Sequence, residues 1–248
     1  MTTIGSLCSG IGGFELGFES AIPGAHTIWQ VEQDPFCLRV LEKHWPDARR
    51  YHDVRQVREL QTPDILLAGF PCQDISRAGR MAGLDGEQSG LFWEVFRIVG
   101  ELRPRIVCLE NVSDLAFRGL PTVLAALSSL GYHTEWTTIS AAQFGAPHLR
   151  QRLFIVAHAN DSGQHAEPID ESLERSSEPV GAHKPKATLR TWRRFPTVNP
   201  VSRRDDGIPN RMDRYRSLGN AIVPQCSAYV ARCIMASGLL GHQGERLP

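Results

Sequence analysis

The sequence has no net charge, no closely paired cysteines and no long apolar run. Its 248 residues carry 27 basic and 27 acidic side chains, so the overall charge points to no particular partner. None of the six cysteines forms a C-x-x-C pair, which argues against a zinc knuckle or a thioredoxin-type centre. No run reaches the roughly 18 apolar residues of a membrane span, and the first ten residues lack a signal-peptide pattern. We therefore expect a cytoplasmic protein without a signal peptide, a membrane span or a metal site.

Short apolar runs alternate with helical patterns along most of the chain. The apolar runs predict strands at residues 3–7, 26–31, 64–69, 105–111 and 152–158. Between them, apolar side chains recur at helical spacing, most clearly over residues 91–102, which predict an amphipathic helix. Strands that alternate with helices are typical of α/β proteins. We therefore expect a doubly wound, mostly parallel sheet covered by helices on both faces.

Two stretches interrupt this alternation. Residues 73–90 contain four glycines and no apolar period, which predicts a mobile loop. Residues 159–209 are polar, proline-spaced and only weakly periodic, so no regular element is predicted there. Order returns with the segment "SLGNAIVPQ", and an apolar helix is expected near residues 222–240.

Basic charge is concentrated in one late segment of the sequence. Between Lys184 and Arg216, ten basic and three acidic residues give a net charge of +7. Trp192 and Phe195 are interleaved with these bases, a composition that suits contact with a nucleic-acid backbone. A solvated surface balanced by the acidic residues at 167–178 would explain the same composition.

Three glycines directly follow the first predicted strand, in "SLCSGIGGFELGF". Gly10, Gly12 and Gly13 would let the backbone approach a ligand closely, although G-x-G-x-x-G is incomplete and a plain tight turn is the alternative. Glu32 ends the second predicted strand about 20 residues further on, where such folds place a carboxylate on a ribose hydroxyl. Asp53 lies near the end of a further short strand, suited to an adenine amino group. Together these residues indicate a nucleoside-bearing cofactor at the carboxyl ends of the strands.

A cysteine and an acid follow two other predicted strands. Cys72, in "GFPCQDIS", lies just after an apolar run rather than inside it, as a reactive thiolate would and a core cysteine would not. Glu110, in "ENV", ends its strand, where burial would raise its pKa and make it a proton donor at neutral pH. Arg150 and Arg152, two apart on extended chain, would share one face and could hold a base edge, a phosphate or Glu110.

Five segments, in this order, resemble motifs of the DNA cytosine-5 methyltransferase family. They are "SGIGGFELGF", "GFPCQDIS", "ENV", "QFGAPHLRQRLF" and "SLGNAIVP", and they cover the chain from about residue 6 to residue 225. The string "RRDDGIPNRMDRYRSLGNAIVP" is similar to compact members found in phage and mobile elements. The resemblance implies a Rossmann-like fold that depends on S-adenosylmethionine. It implies a catalytic and cofactor-binding domain (1–158), a small, irregular target-recognition lobe (159–205) and a C-terminal segment returning to the catalytic domain (206–248).

The resemblance also implies an activity and its residues. Such an enzyme transfers a methyl group from S-adenosylmethionine to C5 of a cytosine flipped out of DNA, through a covalent cysteine adduct. The implied catalytic residues are Cys72 as nucleophile, Glu110 at the ring nitrogen and exocyclic amine, and Arg150 and Arg152 beside the ring. The implied cofactor-binding residues are Cys8, Ser9, Gly10, Gly12, Gly13, Phe14, Glu32, Gln33, Asp53, Val54, Phe70, Pro71, Asn220 and Ala221. The implied DNA-binding residues are Gln73, Ser76, Arg77, Arg80, Arg190, Arg193 and Arg194.

Some positions depart from the family pattern, and two other functions stay open. Cys8 and Gln33 stand where the family usually has aromatic residues, which implies weaker cofactor contacts, and His148 stands where it usually has glutamine. The expected partners are double-stranded DNA and, functionally, a cognate restriction endonuclease, with the chain acting as a monomer. The alternatives are the same chemistry on transfer RNA and a catalytically silent relative that binds DNA.

Overall fold

A computed structural model describes residues 1–70, 90–159 and 211–240. The strands are β1 (Thr3–Leu7), β2 (His26–Val31), β3 (Arg49–Tyr51), β4 (Ile65–Ala68), β5 (Ile106–Val112), β6 (Tyr132–Ser140) and β7 (Gln151–Ala159). The helices are α1 (Gly13–Ala21), α2 (Pro35–His44), α3 (Gly90–Leu102), α4 (Leu115–Arg118), α5 (Leu120–Ser129), α6 (Arg211–Asn220) and α7 (Pro224–Ala236). A 3-10 turn, Ala141–Phe144, lies between β6 and β7.

The strands of the described ranges form one mixed sheet in the order β3-β2-β1-β4-β5-β7-β6. From β3 to β5 all neighbours are parallel, whereas β7 is antiparallel to both β5 and β6. The expected doubly wound, mostly parallel α/β fold is therefore confirmed. Since the chain order reverses between β1 and β4, a crevice opens at the carboxyl ends of these two strands.

The two strands at one edge differ from the sequence-based expectation. The run at 152–158 was expected to join a parallel sheet, but β7 runs antiparallel because only ten residues separate β6 from β7, too few for a crossover to a parallel neighbour. β6 was not predicted at all. Its residues 135–138 are exposed on both faces, so they lack the apolar alternation that marks a half-buried strand.

Two apolar clusters cover the two faces of the sheet. Successive side chains of β4 point to opposite faces, so Leu66 joins one cluster and Leu67 the other. The first cluster includes the buried faces of α3 and α5, and the second includes those of α1 and α7. The sheet therefore forms the middle of three layers, with α1 and α7 together on one side.

Helices α1 and α7 approach each other closely at Gly17. A Cβ atom there would lie 1.9 Å from Ser227 Oγ and 2.5 Å from the carbonyl oxygen of Pro224. Gly17→Ala is therefore expected to destabilise the protein by about 1–3 kcal/mol through overpacking. Gly100→Ala is the matched control, because its Cβ would meet Leu130 at an ordinary 3.6 Å and alanine favours the helix by roughly 1 kcal/mol. Urea unfolding followed by circular dichroism measures both, and equal stability of the two variants would contradict this packing.

Three of the cysteines in the described residues, Cys37, Cys108 and Cys226, are buried as free thiols, whereas Cys8 is half-buried and Cys233 is exposed. Within these same ranges, no helix combines the length and the apolar character needed to cross a membrane.

Candidate active site

A cleft of about 490 Å³ lies where β1, β2, β4 and β5 end, and α2, α3 and α6 also contribute to its wall. Its volume is usual for a site that binds a small molecule. Several residues predicted to bind the cofactor line it, namely Cys8, Gly10, Glu32, Gln33, Asp53, Val54, Phe70 and Asn220. Glu110 and Arg152, predicted to be catalytic, line it as well. The ends of parallel strands thus bring together residues that are far apart in sequence.

The Glu32 carboxylate fixes the backbone of the glycine-rich turn after β1. Gly10 has a positive φ of 57°, and nothing lies within 4 Å of the position that its Cβ would occupy. Its backbone N–H donates to Glu32 Oε2 at 2.7 Å. Glu32 Oε1 accepts from the N–H groups of Gln33 and Asp34 at 2.9 and 2.8 Å. The carboxylate therefore joins the turn after β1 to the start of α2 and leaves free space beside Gly10.

The other predicted residues of this turn do not line the cleft. A Cβ on Gly12 would lie 2.3 Å from the Trp45 ring, and one on Gly13 would lie 2.2 Å from the carbonyl oxygen of Ile222. Phe14 is buried in the core, and the Ser9 hydroxyl donates to Ser6 Oγ at 3.0 Å. These residues therefore support the turn on the side that faces the core, and their contact with a cofactor stays a prediction.

Cys8 is the first residue of the turn and the first thiol of the cleft. Its φ of 54° lies in the left-handed region, which few residues other than glycine adopt. Burial, aided by the negative charge of Glu32, raises the pKa of the Cys8 thiol to about 12. This thiol is therefore neutral at physiological pH and does not compete as a nucleophile.

Asp53 bounds the cleft beyond the end of β3. Its Oδ1 accepts from the backbone N–H of Arg55 at 2.9 Å, and its Oδ2 accepts from Gln56 Nε2 at 3.3 Å. The neighbouring carbonyl of Val54 accepts from Arg97 Nη2 at 3.2 Å, which ties this turn to α3. The Asp53 carboxylate is thus fixed at the rim of the cleft and keeps spare acceptor capacity for a ligand.

Glu110 and Arg152 form a buried ion pair at the other side of the cleft. Arg152 on β7 pairs with Val112 on β5, so its side chain reaches Glu110, two residues away on the same face. Arg152 Nε lies 3.0 Å from Glu110 Oε1, but within the described residues this buried oxygen accepts no well-aligned hydrogen bond. Burial raises the pKa of Glu110 to about 7, against the lowering influence of Arg152 and Arg150. The carboxyl group can therefore gain and lose a proton near neutral pH, as a general acid must.

Arg150 has a different position from the one expected. The prediction that it shares one face of an extended chain with Arg152 is wrong, because Arg150 precedes β7 and has a φ of 33°. Its Nη1 donates to the carbonyl oxygen of Gly219 at 2.9 Å, and its Nη2 donates to that of Ala221. Arg150 therefore fixes the link between α6 and α7, while its charge still acts on Glu110.

Asn111, which sequence reasoning did not select, holds the segment that leads to Cys72. Its side chain is buried, and Nδ2 donates to the carbonyl oxygen of Phe70 at 3.2 Å. Its Oδ1 accepts from the backbone N–H of Val112 at 2.9 Å. The signal that could have found Asn111 is its position beside Glu110 at a strand end that faces a crevice. Asn111 thereby couples the Glu110 strand to the last described residue before Pro71 and Cys72.

Several predicted residues lie outside the described ranges. They are Pro71, Cys72, Gln73, Ser76, Arg77, Arg80, Arg190, Arg193 and Arg194. The expected loop 73–90 lies there too, apart from Gly90, which begins α3, and so does the target-recognition lobe 159–205, apart from residue 159. The roles of these residues stay predictions.

The arrangement of these strand ends is typical of one class of protein. A glycine-rich turn after β1, with acids after β2 and β3, is typical of Rossmann-like folds that bind nucleoside cofactors. Residues 2–193 match the family model described as C-5 cytosine-specific DNA methylase. The chain belongs to this family. Its members depend on S-adenosylmethionine, so the expected class and its cofactor are confirmed at the level of the family.

Similar proteins include bacterial modification enzymes. The type II methyltransferase M2.BsuMI of Bacillus subtilis is 37% identical over 160 residues, which cover 61% of this chain and 41% of that protein. The type II methyltransferase M.HhaI of Haemophilus parahaemolyticus is 34% identical over 161 residues, which cover 62% of this chain and 48% of that protein. The aligned part of the chain therefore spans less than half the length of these relatives.

Solved structures share the fold at low sequence identity. The Entamoeba histolytica methyltransferase EhMeth has a TM-score of 0.57 at 15% identity, covering 67% of this chain and 56% of its own. The S. pombe Dnmt2 methyltransferase has a TM-score of 0.54 at 19% identity, covering 66% of this chain and 53% of its own. These likenesses establish the methyltransferase fold.

Proposed function

We propose that this chain transfers a methyl group from S-adenosylmethionine to C5 of a cytosine in DNA. The observation that carries the proposal is the buried Glu110–Arg152 pair, which faces the same cleft as the glycine-rich turn and Glu32. The Glu110–Arg152 pair can hold the edge of a pyrimidine, and the glycine-rich turn with Glu32 can hold a nucleoside cofactor. One cleft therefore has room for both reactants of a methyl transfer.

The described residues fit the cofactor. Glu32 and Asp53 present carboxylate oxygens where a ribose and an adenine amino group can be bound, and Gly10 leaves open space at the turn. Phe70 offers an apolar wall. Cys8 and Gln33 supply less stacking surface than aromatic residues would, so we expect binding with moderate affinity. When bound, S-adenosylmethionine supplies an electrophilic methyl group on a sulfonium.

The chain's own residues would carry the remaining chemistry. The Cys72 thiolate adds to C6 of the cytosine, and Glu110 donates its proton to N3, so that the ring does not accumulate negative charge. The electron density then gathered at C5 takes up the methyl group. Loss of the C5 proton to a base, expulsion of the thiolate and return of the N3 proton to the Glu110 carboxylate restore the aromatic ring. C6 is inaccessible within a stacked duplex, so the cytosine must first be flipped into the cleft.

The arginines would have separate tasks in this reaction. Arg152 lies next to Glu110 and orients its carboxyl group. Arg152 also stays close to the cytosine ring that Glu110 protonates. Arg150 holds the carbonyl groups of Gly219 and Ala221, beside Asn220 at the cleft. We propose that Arg150 acts by fixing this closing segment, and Arg152 by contacting the reacting ring.

A direct assay tests the proposed function. The purified chain is incubated with labelled S-adenosylmethionine and either duplex DNA or transfer RNA, followed by bisulfite sequencing of the products. The proposal expects label in DNA, with protection of cytosine at defined sites. Label in RNA alone would show that transfer RNA, and not DNA, is the substrate. DNA binding without any label would indicate a catalytically silent relative that binds DNA.

DNA binding should depend steeply on salt, because the segment from Lys184 to Arg216 carries a net charge of +7. Each phosphate contact contributes roughly 0.9 to the slope of log affinity against log salt concentration. Arg193→Gln is expected to reduce that slope by about one. Lys43→Gln changes an exposed lysine in the last turn of α2 that does not line the cleft, and it should leave the slope unchanged. Fluorescence anisotropy at several salt concentrations measures both slopes, and a flat dependence would remove this segment from the interface.

The proposal also includes a domain division, an oligomeric state and the partners of the chain. The division into a catalytic domain (1–158), a target-recognition lobe (159–205) and a returning C-terminal segment (206–248) is supported by the packing of α7 on α1. A monomer that acts on double-stranded DNA, alongside a cognate restriction endonuclease, stays a prediction. The alignment with two type II methyltransferases supports the DNA substrate.

A further inference from the structure

An acid and an amide that the proposed reaction does not use are buried behind the glycine-rich turn. Glu15 on α1 and Gln30 on β2 are both 0% exposed. Gln30 Nε2 donates to Glu15 Oε1 at 3.1 Å. Within the described residues, Glu15 Oε2 and Gln30 Oε1 are buried without a hydrogen-bond partner. An ionised carboxylate has only acceptors, so it leaves both of these oxygens without a donor.

The pair lies in a row of polar side chains that crosses the sheet beneath α1. Ser6 on β1 is the neighbour of Gln30, and Arg50 on β3 is its neighbour on the other side. The hydroxyls of Ser6 and Ser9 interact with the Glu15 carboxyl group. Glu15 therefore lies beside the strand before the glycine turn, the turn itself and the strand that precedes Glu32.

Few charges face Glu15 from the elements packed around it. Arg50 is the cation in the same row, but its guanidinium donates to the carbonyls of Leu41, Trp45 and Ala48, and no ion pair joins it to Glu15. The charge of Arg50 is influenced by Glu42 on α2 and, more weakly, by Glu15 itself, and α7 presents the uncharged Ser227 to α1. Burial raises the pKa of Glu15, against the lowering influence of its own backbone N–H and of the side chains of Ser6, Gln30 and Ser9. A neutral acid is thus the form that these surroundings favour.

We infer that Glu15 is a neutral carboxylic acid in the folded protein and that its Oε2 hydroxyl donates to Gln30 Oε1, closing a two-bond acid–amide pair. This pair is a positioning device for the glycine turn. Within the turn, Gly10 is bonded to Glu32, which directly follows β2. After the turn, Glu15 on α1 is bonded to Gln30 on β2. The turn and the helix that follows it are therefore both tied to β2 and its carboxyl end.

Infrared spectroscopy tests the protonation state without any ligand. A difference spectrum between the wild-type protein and Glu15→Gln, recorded at about pH 8.5, should show the carbonyl stretch of a protonated carboxyl group. At this pH Glu110, with a pKa of about 7, is mostly ionised in both proteins and cancels. A difference spectrum that contains only carboxylate bands would overturn the inference. This result is independent of whether the chain transfers methyl groups.

Calorimetric titration with S-adenosylmethionine tests the positioning role, which rests on the proposed cofactor site. Glutamine can replace the neutral acid, donating one N–H to Gln30 Oε1, so Glu15→Gln should bind within about twofold of the wild type. Glu15→Leu leaves Gln30 unpaired and should raise the dissociation constant and the KM for S-adenosylmethionine by about tenfold or more, with kcat changed less than about threefold. A tenfold loss in Glu15→Gln would show that the charge is needed and would overturn the inference. If Glu15→Leu fails to fold, the glutamine variant decides alone, and absence of binding by the wild type would instead refute the cofactor site.

Discussion

Replacing Cys72 with serine is expected to abolish methyl transfer while leaving the fold and S-adenosylmethionine binding intact. A serine hydroxyl is a far weaker nucleophile than a thiolate and cannot add to C6 at neutral pH. Loss of a catalytic nucleophile typically lowers kcat by a factor on the order of 10⁴ to 10⁶. Single-turnover assays with labelled methyl donor measure this loss, and circular dichroism verifies the fold.

Cys233→Ser is the matched control for this experiment. Cys233 is an exposed free cysteine on α7, so the same change there should leave the rate within about twofold. Duplex DNA that contains 5-fluorocytosine gives a second readout, because fluorine at C5 blocks the final elimination and traps the adduct. The wild-type protein and Cys233→Ser should form a stable protein–DNA crosslink, and Cys72→Ser should not. Normal turnover by Cys72→Ser would remove Cys72 from the mechanism.

Replacing Glu110 with glutamine is expected to lower kcat by roughly 10²–10⁴, the usual contribution of a positioned general acid. The amide keeps the size of the side chain and can donate a hydrogen bond to N3, but it cannot transfer a proton. Its neighbour Arg152 loses its ion-pair partner in this variant, so stability must be measured in parallel. Glu101→Gln is the control, because Glu101 forms an exposed ion pair with Arg97 on α3 and should change neither rate nor stability appreciably.

The pH dependence of kcat/KM should show that Glu110 acts in its protonated form. Glu110 must be protonated to donate, and its pKa of about 7 is above the ordinary value of 4.5, so the active fraction is high below pH 7 and falls above it. Cys72 must instead lose a proton, which makes kcat/KM rise with pH. The profile should therefore be bell-shaped, and its alkaline limb should disappear in Glu110→Gln. An alkaline limb that persists in this variant would assign that limb to another group.

The alternating architecture could be predicted from sequence because buried parallel strands read as continuous apolar runs. Strands β1, β2, β4 and β5 were therefore placed within a residue or two of their observed bounds. β6 could not be placed in this way, since much of it is exposed on both faces, and α6 was missed because its sequence, "RMDRYRSLGN", is almost entirely polar. The antiparallel direction of β7 follows from its short connection to β6, which is visible only once β6 is known.

The site was predictable where it depends on strand ends and was not where it depends on tertiary contacts. Glu32 and Asp53 follow strands, and Glu110 lies near the end of β5. Because the carboxyl ends of these strands share an edge, the proximity of the three acids follows from the fold class. The contact of Arg150 with Gly219 joins residues that are 69 positions apart, and Arg150 adopts a left-handed backbone conformation. No local sequence pattern predicts either feature. The pairing of Glu15 with Gln30 likewise depends on how α1 packs on β2.

The contact between α1 and α7 has a consequence for biosynthesis. The Ser227 hydroxyl donates to the carbonyl oxygen of Gly13, a residue 214 positions earlier, and the carbonyl oxygen of Ile222 lies 2.2 Å from where a Cβ on Gly13 would be. On the ribosome, the first helix emerges long before its packing partner has been translated. The contact between α1 and α7 can therefore form only after translation has passed α7, and this late pairing of distant segments should make folding slow.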